Sequence, residues 1–301
     1  MRILAAVVTH NRRDLLERCV DHLRAQTRVP DGIIVINNAS TDGTVEMLDA
    51  KGIAHIDQAN LGSAGGWNRA IAHCLEEGFD AVWLMDDDGF PDAGALAALE
   101  RATDAKTACV SSVVLREDEH SHFVFPFPRL DRRRGLPVLA RRQRKLATLA
   151  ELERIAPSGT YPFAHFFNGA LVLRSAIESA GSVDTRWFMF GDEVDYFFRL
   201  RQVGEVRSVL AARHYHPDVA RRPLNPTKLY YYLKNTLILN RLYFDKVALR
   251  DLATLGIGLA RYGARNGWRN LAATLTGPQR TLVPRAILRG LRGRIGADLD
   301  G

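Results

Sequence analysis

The chain has 301 residues, 47% of them hydrophobic and 25% charged, which supports one large or two modest buried cores and excludes a disordered chain. Three scattered cysteines, Cys19, Cys74 and Cys109, exclude a disulfide framework and a cysteine-rich zinc site, and suit a reducing cytoplasm. The net charge of +7 is uneven: Arg129 to Arg154 and Arg250 to Gly301 each carry nine Lys and Arg against three Asp and Glu, a joint +12 that leaves −5 for the rest.

The opening MRILAAVVTHNRR holds an apolar run only from Ile3 to Val8 and reads as a first strand, not as a leader peptide. A helical pattern in RRDLLERCVDHLRAQT follows, then a strand over Ile33–Asn37, the turn-rich NNASTDGT and a short helix ending at Lys51 and Gly52. His55–Asp57 reads as a brief strand, NLGSAGG as a loop and Trp67–Glu77 as a helix. Ala81–Met85 is a buried strand, Ala93–Ala102 a helix and Ala108–Val114 another strand. This alternation predicts an α/β fold with a mostly parallel sheet and helices on both faces. Ligands of such sheets bind beyond the carboxyl ends of the strands, where Thr9–Arg12, Asn37–Asp42 and Asp86–Asp88 all fall.

Residues 115–160 interrupt the pattern with a basic, irregular excursion that leads into a short helix. FFNGALVLRSA returns to strand, DEVDYFFRLRQVG is a helix and EVRSVL a strand. From Asn225 the pattern is all helical, broken at Gly263, Gly267 and Gly277-Pro278. A boundary near residue 220, in DVARRPLNP, separates a domain 1–220 from a basic helical region 221–301. The longest apolar stretch there, Leu252 to Ala260, holds two glycines and is too short to span a bilayer, so a soluble or surface-lying protein is expected.

The stretch VWLMDDDGFPD runs a buried strand into Asp86, Asp87 and Asp88, a cluster of like charges that needs a cation among them. An Asp-x-Asp after a strand presents two carboxylates to one side and the residue between to the other. Hard oxygen ligands in an incomplete set suit Mg²⁺ or Mn²⁺, with positions left for substrate phosphates. The bland alternative, a helix N-cap run, is already served by Asp92. A second acidic group, Asp192, Glu193 and Asp195, opens the helix in GDEVDYFFRLR. First-turn carboxylates also satisfy helix capping, but Trp187, Phe188 and Phe190 beside them would partly desolvate a carboxylate into a better general base. Third, His214 and His216 follow the strand VRSVL; two apart, they are expected to point to opposite sides, so that one serves the site. The glycines of NLGSAGGWN lack the G-x-G-x-x-G spacing of a dinucleotide site.

In order along the chain, these motifs resemble those of the inverting glycosyltransferases of family 2, which have the GT-A (Rossmann-like) fold. The resemblance is carried by Thr9-His10-Asn11-Arg12, by Asn37-Asn38-Ala39-Ser40-Thr41-Asp42-Gly43-Thr44, by Asn60-Leu61-Gly62 through Gly66-Trp67-Asn68, by the aspartates and by the downstream acidic pair, and covers about residues 1–245. The triple aspartate, the strand-following histidine and Tyr230-Tyr231-Tyr232-Leu233-Lys234-Asn235 are similar to features of bacterial galactofuranosyltransferases and rhamnosyltransferases. The resemblance implies a nucleotide-sugar half (about 1–115) and an acceptor half (about 160–220). It implies Asp86, Asp88 and His214 as ligands of Mn²⁺ or Mg²⁺, and Glu193 as catalytic base with Asp192 as competitor. Thr9, Asn11, Arg12, Asn37, Asp42, Asn60, Gly62, Asn68 and Asp87 would bind a UDP- or dTDP-sugar donor, and Trp187 and Asp195 the acceptor. The family usually has Asp at position 37, contacting the pyrimidine; Asn37 here can still donate to O4 and accept from N3–H.

The implied acceptor is a glycan or lipid-linked hydroxyl. Arginines in helices such as PRAILRGLRGRIG suit the inner face of the cell membrane, and a solvated helical face explains them equally. Two rivals carry different expectations. A phosphohydrolase with an aspartate nucleophile wants Thr two residues on, where Gly89 and Phe90 follow instead. A nucleic-acid-binding protein would use the basic charge, but consecutive Tyr230, Tyr231 and Tyr232 fan about 100° apart on a helix and make a poor stacking platform.

Overall fold

In the computed structural model the described residues are 1–131, 133–139, 144–219, 222 and 224–299. Arg132, Arg141 and Arg142 of the basic stretch, and Ala220, Arg221 and Pro223 of DVARRPLNP, lie outside them. The chain divides into two compact units: Met1–Val183 with Tyr196–Asp218, and Asp184–Asp195 with the chain from Val219 onward.

The first unit opens with β1 (Ile3–Thr9), α1 (Arg13–Arg24), β2 (Gly32–Asn38), α2 (Thr44–Ala50), β3 (His55–Gln58), α3 (Gly62–Glu76) and β4 (Ala81–Asp86). After the two-residue β5 (Phe90–Pro91) come α4 (Ala95–Arg101), β6 (Thr107–Arg116), β7 (His122–Pro128), β8 (Lys145–Thr148) and α5 (Leu149–Ile155). Then follow β9 (Thr160–Tyr161), β10 (Asn168–Leu173), α6 (Arg174–Ala180), α7 (Asp192–Val203) and β11 (Glu205–His216). The sheet runs β3-β2-β1-β4-β10-β6-β11-β5. β3, β2, β1 and β4 are parallel to one another, as β6 is to β11, while β10 lies antiparallel between β4 and β6.

Both faces of the sheet are covered, which is why β1 and β4 read as unbroken apolar runs. Leu4, Ala6 and Val8 of β1 pack with Trp67, Ala70, Ile71 and Cys74 of α3; Ile3, Ala5 and Val7 pack on the opposite face with Leu16, Cys19, Val20 and Leu23 of α1. The α1 residues recur at the i, i+3, i+4, i+7 spacing of an amphipathic helix.

Two expectations need correction. NLGSAGG is no loop beyond Leu61: α3 starts at Gly62, five residues before the expected start. Each glycine weakens a helix by about 1 kcal/mol relative to alanine, but a Cβ at Gly66 would stand 2.5 Å from Val8 Cγ1. Close packing on β1 therefore overrides propensity. In the excursion after β6 the described residues form β7 and β8 as well as the expected helix, and the Thr148–Glu151 capping box starts α5.

The second unit holds the loop before α7 and then α8 (Pro226–Tyr243), α9 (Val247–Asn266), α10 (Trp268–Thr276) and α11 (Leu282–Leu291). Asn225 caps α8 by accepting from the Lys228 N–H at 2.7 Å, with Pro226 at the first helical position. Leu229, Tyr230, Tyr231 and Leu233 of α8 pack with Tyr262, Leu271, Val283 and Ala286. No helix among the described residues is long and apolar enough to cross a membrane.

Candidate active site

Strand order reverses between β1 and β4, and such a switch opens a crevice at the carboxyl ends. Three loops meet there. Asn11, with φ of 52°, accepts from the Thr41 N–H at 2.7 Å, and its own N–H donates to Ser40 Oγ at 2.9 Å. Asp42 accepts from the Arg13 N–H (3.0 Å) and the Thr44 hydroxyl (2.5 Å). Burial pushes the Asp42 carboxyl up, but these hydrogen bonds outweigh it and hold the group below the usual range. The β1 and β2 loops are thereby locked together.

Asn37 is buried and engaged at both ends of its amide: Nδ2 donates to Asp57 Oδ1 at 2.7 Å and Oδ1 accepts from the Ser40 N–H at 3.1 Å. Asp57, its register partner on β3, keeps a half-exposed carboxylate at the sheet end. Asn60 makes an Asx turn onto the Gly62 N–H (3.1 Å), and Gly62 opens α3 at φ 73°. Asn68 stands apart from these contacts, its Nδ2 donating to Ser182 Oγ (3.0 Å) and the Val183 carbonyl (3.1 Å).

The cation among the three aspartates is Arg12. Its Nη1 donates to Asp87 Oδ1 and Asp88 Oδ2, each at 2.9 Å, and Thr9 Oγ1 donates to Asp87 Oδ2 at 2.8 Å. Asp87 therefore does not turn to the opposite side from Asp88: β4 ends at Asp86, the backbone turns, and strand alternation stops. Burial works against the Arg12 charge, but Asp87 and Asp88 prevail and hold the guanidinium more firmly protonated. Burial also pushes the Asp87 carboxyl up, against the pull of Arg12. Arg18, absent from the expected set, sits over the Phe90 ring at 4.6 Å and reaches the Asp88 carbonyl at 3.4 Å.

The histidines share one face of β11, since strand residues two apart point the same way; Arg213 is exposed while His214 and His216 are buried. The expected divergence is thus wrong. His214 is fully buried, and neither ring nitrogen has a hydrogen-bond partner among the described residues. Burial pushes its pKa down to about 3, so the ring is neutral. His216 donates from Nδ1 to the Pro217 carbonyl at 2.7 Å and aims Nε2 at Asp88 Oδ1, 2.9 Å away.

Among the described residues no three His, Cys, Asp or Glu side chains are already gathered as a metal shell. Two donors nonetheless stand together, Asp88 and His216. With Nδ1 donating to the Pro217 carbonyl, Nε2 faces a carboxylate oxygen at 2.9 Å, a contact that either a proton or a metal ion between the two would satisfy. The same 2.9 Å matches the spacing of adjacent ligands on an octahedral ion with bonds of about 2.1 Å. A ring N–H held by a backbone carbonyl is the usual support of a metal-binding histidine.

In the second unit, the loop before α7 is held from α8: Asn235 Nδ2 donates to the carbonyls of Met189 and Phe190, each at 2.7 Å. Phe190 (φ 57°) and Gly191 (φ 119°) make the turn, and a Cβ at Gly191 would meet the Trp187 ring at 2.5 Å. Trp187 is 0% exposed and packs with Ile238 and Leu239, so its ring wedges the loop and presents no open face to an acceptor. Asp195 is buried and accepts from the Tyr243 hydroxyl at 2.6 Å. Asp192 is buried too, whereas Glu193 is only half-buried.

The sequence profile described as Glycosyl transferase family 2 matches residues 5–156. Galactofuranosyltransferase GlfT1 of Mycobacterium tuberculosis is 39% identical over 223 residues, 71% of this chain and 70% of that protein. The O-antigen chain rhamnosyltransferase RfbN of Salmonella typhimurium is 31% identical over 102 residues, about a third of each chain (33% and 32%). In fold the chain is similar to a mannosyltransferase of Pyrobaculum calidifontis solved with GDP-Man and Mn²⁺, with a TM-score of 0.57 and 17% identity over 96% of this chain and 85% of that one.

Proposed function

The chain belongs to glycosyltransferase family 2, and from that premise we propose a metal-dependent inverting transferase that moves galactofuranose from a UDP-sugar to a hydroxyl of a cell-surface glycan or lipid-linked acceptor. Rhamnose from a dTDP-sugar is the second choice of donor. The observation that carries this reading is the pairing of Asp88 with His216 beside Asp86, at the carboxyl ends of parallel strands.

Asp86, Asp88 and His216 would hold Mn²⁺ or Mg²⁺; His214, the ligand expected from the sequence, is buried like His216 but makes no hydrogen bond to Asp88, and would back that shell. Bound there, the ion would neutralise charge developing on the departing nucleoside diphosphate. Thr9 and Arg12 orient Asp87 and Asp88, and Arg12 supplies a second cation toward the donor phosphates. Asn11, Asp42, Asn60 and Gly62 shape the donor side, and Asn37 aims Asp57 at the sheet end. Asn68 supports the donor side from α3, and Trp187 and Asp195 support the acceptor side by fixing the acidic loop.

Glu193 takes the proton from the acceptor hydroxyl, which attacks the anomeric carbon from the face opposite the leaving group and inverts it in one displacement. Its half-buried carboxylate favours it over Asp192. The exposed Leu249, Leu252 and Trp268, on helices that also carry Arg250, Arg261, Arg265 and Arg269, favour a cytoplasmic enzyme lying on the inner membrane face.

Thermal unfolding with UDP, dTDP and GDP, each with Mn²⁺ and with EDTA, tests the donor reading. A ligand at a hundredfold its Kd stabilises the folded state by about 2.7 kcal/mol. A midpoint raised by UDP or dTDP and returned to baseline by EDTA is the expected result; insensitivity to every nucleotide overturns it.

A further inference from the structure

The second unit contains a cationic centre around Lys234, apart from the residues assigned above to metal, donor and base. Lys234 of α8 is 0% exposed and stands 4.7 Å from the Tyr231 ring centroid. Its Nζ donates to the Gly296 carbonyl at 2.7 Å and to Asp298 Oδ1 at 3.1 Å. Asp298 Oδ2 accepts from the Tyr230 hydroxyl at 3.0 Å and pairs with Arg289 of α11. Arg285 donates to the Asp298 main-chain carbonyl, and the Tyr231 hydroxyl accepts from the Asp298 N–H at 3.0 Å.

Charge and geometry are both unbalanced. Lys234, Arg285 and Arg289 bring three positive charges, and Asp298 is the one carboxylate paired with Lys234 and Arg289 among the described residues. Its two oxygens engage Lys234, Tyr230 and Arg289, which leaves Arg285 on a main-chain carbonyl. A phosphoryl group offers three acceptor oxygens and close to two charges, and would engage all four.

We infer that Tyr230, Lys234, Arg285 and Arg289 form a phosphoryl-binding site, with Asp298 standing in for the ligand from the segment after α11. Displacing Asp298 opens it to a free phosphate or diphosphate, or to the phosphate of a lipid headgroup. One residue along α8, Asn235 holds the loop that leads to Glu193. An acceptor carrying a phosphoryl group is therefore the substrate class that would profit most; only this last step rests on the transferase reading.

The test is pyrophosphate binding by calorimetry on the full chain without nucleotide, so its failure leaves the donor reading standing. Asp298→Ala should bind pyrophosphate at least tenfold more tightly than the unaltered protein, and adding Arg289→Gln should remove the gain. Circular dichroism checks the fold; Asp298→Asn, which keeps the shape and loses the charge, decides the matter where Asp298→Ala unfolds. Flotation with phosphatidylcholine vesicles, with and without phosphatidic acid, separates the sources. A gain on phosphatidic acid alone assigns a lipid headgroup; a gain on pyrophosphate alone assigns a soluble anion. Folded variants that gain on neither show a structural staple and overturn the site.

Discussion

His216 Nε2 lies 2.9 Å from Asp88 Oδ1, while its other nitrogen is fixed on the Pro217 carbonyl at 2.7 Å. That geometry sets His216 directly on a carboxylate, whereas His214, two residues earlier, is fully buried and makes no hydrogen bond among the described residues. His216→Ala should therefore weaken Mn²⁺ binding at least about tenfold, the lower end of what losing even an outer support of a metal site causes. His214→Ala should change it less. Titration followed by the EPR signal of free Mn²⁺ measures both, and the reverse ranking would restore His214 as the ligand.

Arg12 gives a second prediction, because it neutralises two buried carboxylates from a half-exposed position. Arg12→Gln should lower stability in EDTA by about 1–3 kcal/mol, the range for charged hydrogen bonds left unmade. Mn²⁺ should raise the midpoint more in the variant than in the unaltered protein, since the ion replaces the missing charge. Equal Mn²⁺ responses would show that Arg12 and the metal do not share these aspartates.

Gly89 is needed for space. A Cβ there would lie 2.3 Å from His214 Nε2 and 3.0 Å from the Tyr215 carbonyl. Gly89→Ala should destabilise the protein by about 1–3 kcal/mol, as overpacking does, and should weaken Mn²⁺ binding together with stability. An alanine variant with unchanged midpoint and Mn²⁺ affinity would mean that His214 moves aside freely.

For the acidic helix start, Glu193→Gln should retain UDP binding and lower kcat about 10²–10⁴-fold, the usual contribution of a general base. Asp192→Asn should act mainly on stability, because Asp192 is buried. Full turnover in the Glu193 variant would transfer the role to Asp192.

Asp298 supplies the pH dependence. Burial pushes its carboxyl up, but Lys234 and Arg289 outweigh this and hold it below the usual range. A carboxyl depressed by folding contributes stability that is whole above its unfolded value of about 3.9 and is lost as pH falls through the lower folded value. The stability difference between the unaltered protein and Asp298→Asn should thus be steady from pH 7 to 5 and shrink below pH 4. Urea unfolding at each pH measures it; a difference unchanged at pH 3.5 would contradict a charged pair.

Strands β1 to β4, β6, β10 and β11, the helix faces and the motif order were legible in the sequence because they depend on local periodicity and on residue types at strand ends. Ile3–Val8 and Val82–Met85 announce strands buried on both faces, and DDD after the second announces a charged site. What the aspartates touch was not legible, since Arg12 is 75 residues from Asp87 in sequence and reaches it only because β1 and β4 are neighbours. The helical start at Gly62 likewise depends on Val8, a contact no local propensity contains. Asp298 shows the limit most clearly: an acid at the end of a basic stretch, it acquires a role only when α8 and α11 bring Lys234, Tyr230 and Arg289 around it. Sequence determines which groups are available and the period with which they face a core; long-range packing alone decides which charge meets which.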